Sequence, residues 1–189
     1  MKDKKQIEVE LRGPLSYKNL KFLSTTLKKE GKFLGRKKQM VIFFQENKIL
    51  NLPKDSLRII KDQNSEKVCF KLKSKFGANQ EFEFLLKRGE YKKATVFFQS
   101  IGFVNYTVSP ALRKDFLYKG ATFSLKWECI IGPHFEAEKI VNNKNEIKKA
   151  EKRLSILISE LGLKAWTKKE YLKHKDYYWN LFRKDGRLK

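Results

Sequence analysis

The feature that most constrains this chain is a two-residue alternation of charged and apolar side chains that returns in separate segments along its length. It begins at Ile7-Glu8-Val9-Glu10-Leu11-Arg12 and stops at Gly13-Pro14. Successive side chains of a strand point to opposite faces, so Glu8, Glu10 and Arg12 share one face while Ile7, Val9 and Leu11 share the other. The pattern recurs with Glu81 and Glu83 against Phe82 and Phe84, and with Lys71 and Lys73 against Phe70 and Leu72. Arg58 lies between Leu57 and Ile59, Arg113 beside Leu112, and Glu136 and Glu138 follow Phe135. Such a chain forms antiparallel sheet with one apolar face to cover and one charged face.

Turns rich in Asn, Asp, Lys and Gly separate further expected strands at Gln39 to Gln45, Ser56 to Lys61, Lys67 to Lys73 and Glu81 to Lys87. Others run from Val104 through Val108 to Tyr118, from Thr122 to Ile131 and from Phe135 to Val141. Leu20, Leu23 and Leu27 recur at helical spacing between Ser16, a plausible N-cap, and Gly31, a stop. A second helix is expected from Tyr91 to Ile101, ended by Gly102. In the tail, Ile147, Ala150, Leu154, Leu157, Ile158 and Leu161 trace one apolar face closed by Gly162. Thr167 and Glu170 then form a capping-box pattern before a helix reaching about Phe182, whose Tyr171, Tyr178, Trp179 and Phe182 are expected to pack on the sheet rather than stack on bases. The expected class is α+β dominated by antiparallel sheet.

The chain has 189 residues, of which 41% are hydrophobic, enough to bury a sizeable core, and no repeat or linker divides it. One domain over 1–189 is expected, with the helices of about 143–182 packed on the sheet. No run approaches the ~20 apolar residues of a membrane span, and the first residues carry no signal-peptide core, so a cytoplasmic location is expected and no membrane partner. Cys69 and Cys129 sit in apolar runs, where a small buried thiol is the ordinary reading.

The 43 basic and 21 acidic residues give a net charge of +22, spread along the chain, which predicts an anionic partner. Only 8 of the 43 basic residues are Arg, the residue preferred for bidentate recognition, so dedicated nucleic-acid binding is not favoured. Each Glu-x-Glu pair taken singly reads as a solvated strand face. Three in separate strands are harder to dismiss, because neighbouring carboxylates repel unless a cation screens them. Oxygen clusters of this kind suit Mg²⁺ or Mn²⁺, interleaved Arg and Lys suit phosphate, and a polar-lined barrel would hold both.

These segments resemble the CYTH family, the triphosphate tunnel metalloenzymes that include class IV adenylyl cyclases and thiamine triphosphatases. Glu8-Val9-Glu10-Leu11-Arg12 is similar to the opening Glu-x-Glu-x-Lys, and Leu57-Arg58-Ile59-Ile60 to Leu-Arg-Ile-Arg. Glu81-Phe82-Glu83 matches the central Glu-x-Glu, Ile101-Gly102-Phe103 the end of the middle helix, and Leu125 through Glu138 aligns to a late segment without a gap. The resemblance implies a closed antiparallel eight-stranded β-barrel with flanking helices. In its lumen Glu136, Glu138, Glu81 and Glu83 would serve the metal, Mg²⁺ or Mn²⁺. Arg12, Arg58, Lys71, Lys73 and Arg113 would hold phosphate, and Glu8 and Glu10 would act on the attacking water.

Five departures from the family pattern stand out: Lys126 for an acidic ligand, Ile60 for the second arginine, Ala111 for a lysine, Val41 for an aspartate and Phe116 for a tyrosine. Lys126 is expected on the lumen side with Glu128, or near Glu136 and Glu138, paired with a glutamate or on a phosphate oxygen. His134 is expected at the rim. The implied activity is metal-dependent hydrolysis of a triphosphate, inorganic or organic. The alternatives are adenylyl cyclisation to cyclic AMP and pyrophosphate, or a catalytically silent module that binds phosphate, nucleotide or RNA.

Overall fold

The computed structural model describes residues 7–44, 57–75 and 78–184, the side chains of 72–81 and 182–184 excepted. Among them are eight strands, β1 (Ile7–Pro14), β2 (Lys32–Phe44), β3 (Leu57–Lys61), β4 (Glu66–Lys75), β5 (Ala78–Leu86), β6 (Tyr106–Tyr118), β7 (Ala121–Glu128) and β8 (Gly132–Val141). Four α-helices, α1 (Tyr17–Glu30), α2 (Tyr91–Ser100), α3 (Ile147–Glu160) and α4 (Lys168–Lys184), accompany them.

All strand pairs are antiparallel, and the sheet curls in the order β1-β5-β4-β3-β2-β6-β7-β8 of a closed barrel. β1 meets β8 over Ile7 to Pro14, and among the described residues it meets β5 through Ile7, Glu8 and Val9 against Gln80, Asn79 and Ala78.

The alternation sorts side chains as the sequence predicts. Val9, Phe116, Phe123, Phe135 and Ala137 face outward into a core completed by Leu23 and Leu27 of α1 and by Leu154, Leu157 and Ile158 of α3. A second outer core gathers Ile42, Phe44, Ile59 and Val68 under Phe103 and the α2 residues Tyr91, Ala94 and Phe98. The helix caps also follow the sequence. Ser16 accepts from the Asn19 amide, and Thr167 and Glu170 exchange side-chain to backbone hydrogen bonds at the start of α4. Cys69 and Cys129 are both buried, as the sequence reading expects.

Two expected strand limits are corrected. β2 starts at Lys32 rather than Gln39, because pairing of Lys32 to Lys38 with Leu117 to Leu112 of β6 extends it through a stretch too charged to show alternation. β7 stops at Glu128 rather than Ile131. Cys129, Ile130 and Ile131 instead turn across one end of the barrel, where they meet Val41, Phe43 and Ala111 from its inner wall. Ile60 from the same wall and Trp166, Tyr171 and Trp179 from the C-terminal segment complete this cluster. One end of the lumen is therefore filled with apolar side chains, and the aromatics of α4 pack as expected; that of Phe182 lies outside the described residues.

Gly132 ties this turn to α4. Its φ is +78°, and a Cβ there would stand 2.2 Å from the Tyr178 ring. Gly132→Ala is expected to cost about 2 kcal/mol of stability in a denaturant melt, through backbone strain and the clash together. Adding Tyr178→Ala should recover the clash but not the strain. A single variant as stable as the wild type would mean that α4 does not bear on this turn.

Candidate functional site

The inward residues of the strands line a cavity of about 650 Å³. Glu8 and Arg12 reach it from β1, Lys37, Gln39 and Val41 from β2, and Arg58 and Ile60 from β3. Lys67 and Lys71 come from β4, Glu83 and Leu85 from β5, Arg113 from β6, Lys126 and Glu128 from β7, and Glu136, Glu138 and Ile140 from β8. Glu10 is 5% exposed and joins this wall through its ion pairs. The cavity thus brings together most of the residues expected from the sequence. The side chains of Lys73 and Glu81 lie outside the described residues.

Many of the charges in the cavity are paired. The Arg12 guanidinium binds both carboxylate oxygens of Glu10, lies 3.1 Å from Glu136 Oε1, and donates to the Tyr171 hydroxyl at 3.1 Å. Burial works against its charge, but Glu10 and Glu136 outweigh burial and raise its pKa well above the ordinary arginine value. The Lys71 ammonium lies 3.0 and 3.2 Å from the two oxygens of Glu8 and 3.8 Å from Glu10. Lys67 binds Glu83 at 2.5 Å, and Arg113 binds Asp115 at 2.5 Å, while Ser124 donates to the same Asp115 oxygen at 2.8 Å.

Lys126 Nζ stands 2.7 Å from Glu136 Oε2 and 3.6 Å from Glu128 Oε1, on the side the alternation predicts. Burial alone would raise the Glu136 carboxyl, but Lys126, Arg12 and His134 overcome it and hold that carboxyl well below its usual range. His134 does not sit at a rim. It is fully buried, with Nδ1 2.9 Å from the Gly132 carbonyl and Nε2 3.5 Å from Glu136 Oε1. β8 begins at Gly132, early enough to turn position 134 inward, and Trp166 covers it.

Glu138 differs from the paired carboxylates on the strands of the cavity wall. It makes no ion pair among the described residues, and burial, with Glu8, Glu10 and Glu136 nearby, pushes its pKa up to about 7 against the pull of Arg113. A raised carboxyl binds its proton more tightly in the folded chain than in the unfolded one. It therefore costs stability as pH rises from the unfolded value of 4.5 towards 7. Glu138→Gln is expected to be more stable than the wild type at about pH 8 and similar at about pH 5. Allowing for partial exposure of the side chain, thermal melts should show the gap widening by about 2 kcal/mol. A gap independent of pH would exclude the raised carboxyl.

Sequence comparison adds the family. The profile of the CYTH domain matches residues 6–170. The chain belongs to the CYTH domain family. No curated protein matches it in sequence. Among solved structures, a Pyrococcus horikoshii OT3 protein has a TM-score of 0.68 at 22% identity, covering 88% of this chain and 98% of its own. A candidate adenylate cyclase from Vibrio parahaemolyticus gives 0.65 at 15%, covering 89% and 98%. A candidate adenylyl cyclase from Hippeastrum, described with a dominant triphosphatase activity, gives 0.59 at 16%, covering 97% of both chains. At these identities the likeness is one of fold. Among the described residues no helix is long and apolar enough to cross a membrane.

CYTH enzymes typically use divalent metal ions. Such an ion needs several oxygen donors free of other cations. Among the described residues no three His, Cys, Asp or Glu side chains are grouped to hold one. Of the expected ligands, Glu136 has Arg12 on one oxygen and Lys126 on the other, and Glu83 is held by Lys67. As arranged, these CYTH side chains do not fit a divalent ion on Glu136 and Glu138.

Several lining residues escaped the sequence reading. Lys37 was hidden with the start of β2. Lys67, four positions from Lys71, and Asp115, the partner of Arg113 two positions on, were available by parity, and nothing but parity marked them.

Proposed function

We propose that this CYTH protein binds a triphosphate-bearing small molecule in its lumen and hydrolyses it. The observation that supports this reading most is that seven basic side chains, Arg12, Lys37, Arg58, Lys67, Lys71, Arg113 and Lys126, line one cavity. Phosphoryl transfer asks little covalent chemistry of a protein; positioning and charge neutralisation do most of it. The curled sheet would act as a tunnel with one blocked end, so that a triphosphate enters with its terminal phosphate first.

In this reading Arg58, Lys71 and Arg113 neutralise phosphate oxygens, and the remaining lumen bases hold the chain of phosphates in place. Glu8 and Glu10, expected to act on water, are engaged by Lys71 and Arg12 and serve to aim those cations. Glu138 is the carboxylate left to accept a proton. Water attacks the terminal phosphorus as the bridging P–O bond breaks. The electron pair leaves on the bridging oxygen of the diphosphate, beside the lumen cations, and the proton of the water passes to Glu138.

The Lys126–Glu136 pair favours a second reading, a CYTH module that binds the same anion without turnover. Incubating the protein with tripolyphosphate, thiamine triphosphate and ATP, each with Mg²⁺, Mn²⁺ or EDTA, and resolving every phosphorus product separates the possibilities. Orthophosphate marks hydrolysis, and cyclic AMP with pyrophosphate marks cyclisation. Binding without product marks the silent module.

A further inference from the structure

We infer that Lys126 is a built-in cation of the lumen, which lets the protein take the free triphosphate anion instead of its magnesium complex. This rests on the lumen being a triphosphate site. Lys126 belongs to the inward column Ser124, Lys126, Glu128 of β7, and its register partners are Arg113 on β6 and His134 on β8. Its ammonium is nearly buried, 11% exposed as a side chain, and is held by two carboxylates, Glu136 at 2.7 Å and Glu128 at 3.6 Å.

A solvated lysine on a barrel mouth would show neither the burial nor the double anchoring. Both carboxylates are buried in turn, and the Arg12 guanidinium covers the other oxygen of Glu136. A divalent ion at Glu136 would have to displace an ammonium, and would then sit among Arg12, Arg113 and Lys126, all repelling it. A carboxylate at position 126 would reverse this balance, adding a donor and removing the nearest positive charge. Lys126 therefore supplies, from the chain itself, positive charge at a wall where an acidic residue would require a bound cation. A free triphosphate carries more negative charge than its magnesium complex and gains more from that wall.

The test is calorimetric titration of the full chain with tripolyphosphate, once in EDTA and once with saturating Mg²⁺. The wild type is expected to bind in EDTA at least as tightly as with Mg²⁺. Lys126→Gln should bind at least about tenfold more weakly in EDTA, Lys126→Arg should restore binding, and Lys126→Asp should bind only with Mg²⁺. Thermal melts confirm that each variant is folded, and the wild-type comparison stands if one is not. Wild-type binding that strengthens tenfold or more with Mg²⁺, or a folded Lys126→Gln that binds in EDTA like the wild type, would overturn the role of Lys126 and leave the triphosphate site standing. No binding in either buffer would overturn both.

Discussion

Glu138→Gln is expected to lower triphosphate turnover by about 10²–10³-fold while leaving triphosphate affinity within about threefold of the wild type. The substitution keeps the size of the side chain and removes its ability to accept a proton, together with the charge it carries when ionised. Glu8, Glu10 and Glu136 are poorly placed to replace it, because Lys71, Arg12 and Lys126 already engage them in ion pairs. Wild-type turnover should rise with pH and level off above about 7, where Glu138 becomes ionised. The variant should lose that rise along with its rate. Retained turnover, or a rise that persists in the variant, would remove Glu138 from the chemistry. A loss of affinity without loss of maximal rate would make it a binding residue instead.

Arg12→Met is expected to destabilise the protein by about 3 kcal/mol, lowering its melting temperature by about 6–12 °C. Arg12 is the shared partner of two buried carboxylates, Glu10 and Glu136, and its guanidinium also donates to Tyr171 on α4. Methionine fills much the same volume but leaves Glu10, among the described residues, with only the more distant Lys71, at 3.8 Å. The cost is that of an uncompensated buried charge more than of a lost attraction. Arg12→Met combined with Glu10→Gln should therefore recover most of the loss. A single substitution costing less than about 1 kcal/mol, or a double variant no better than the single, would show that water already reaches this pair.

The family fold was legible to an unusual extent because alternation is a local property. In β1, β4 and β8 one apolar residue in two is enough to assign the outward face, and the charged residues between them are then inward by geometry. The same rule failed at Lys32 to Lys38, where both faces of β2 are charged or exposed and only pairing with β6 shows that the strand continues. It failed again at Cys129 to Ile131, which read as a strand end and close the lumen instead. Hydrophobicity reports that a residue will be buried, not whether it is covered by a helix outside or by other strands inside.

For the candidate site, the chain by itself determined which residues would share the lumen, since strand parity assigns Glu8, Arg12, Arg58, Lys71, Arg113, Lys126, Glu136 and Glu138 to one face without knowledge of their neighbours. Set beside the family pattern, it also marked Lys126 as the sharpest of five departures. Tertiary structure alone decided which charges neutralise which. Lys71 meets Glu8 although β4 and β1 are separated by β5, Lys126 takes Glu136 from the adjoining strand, and Glu138 is left without an ion pair among the described residues. Ion pairing depends on distances between side chains whose strands are remote in sequence, and those distances come into being only when the sheet curls and brings β1 between β5 and β8.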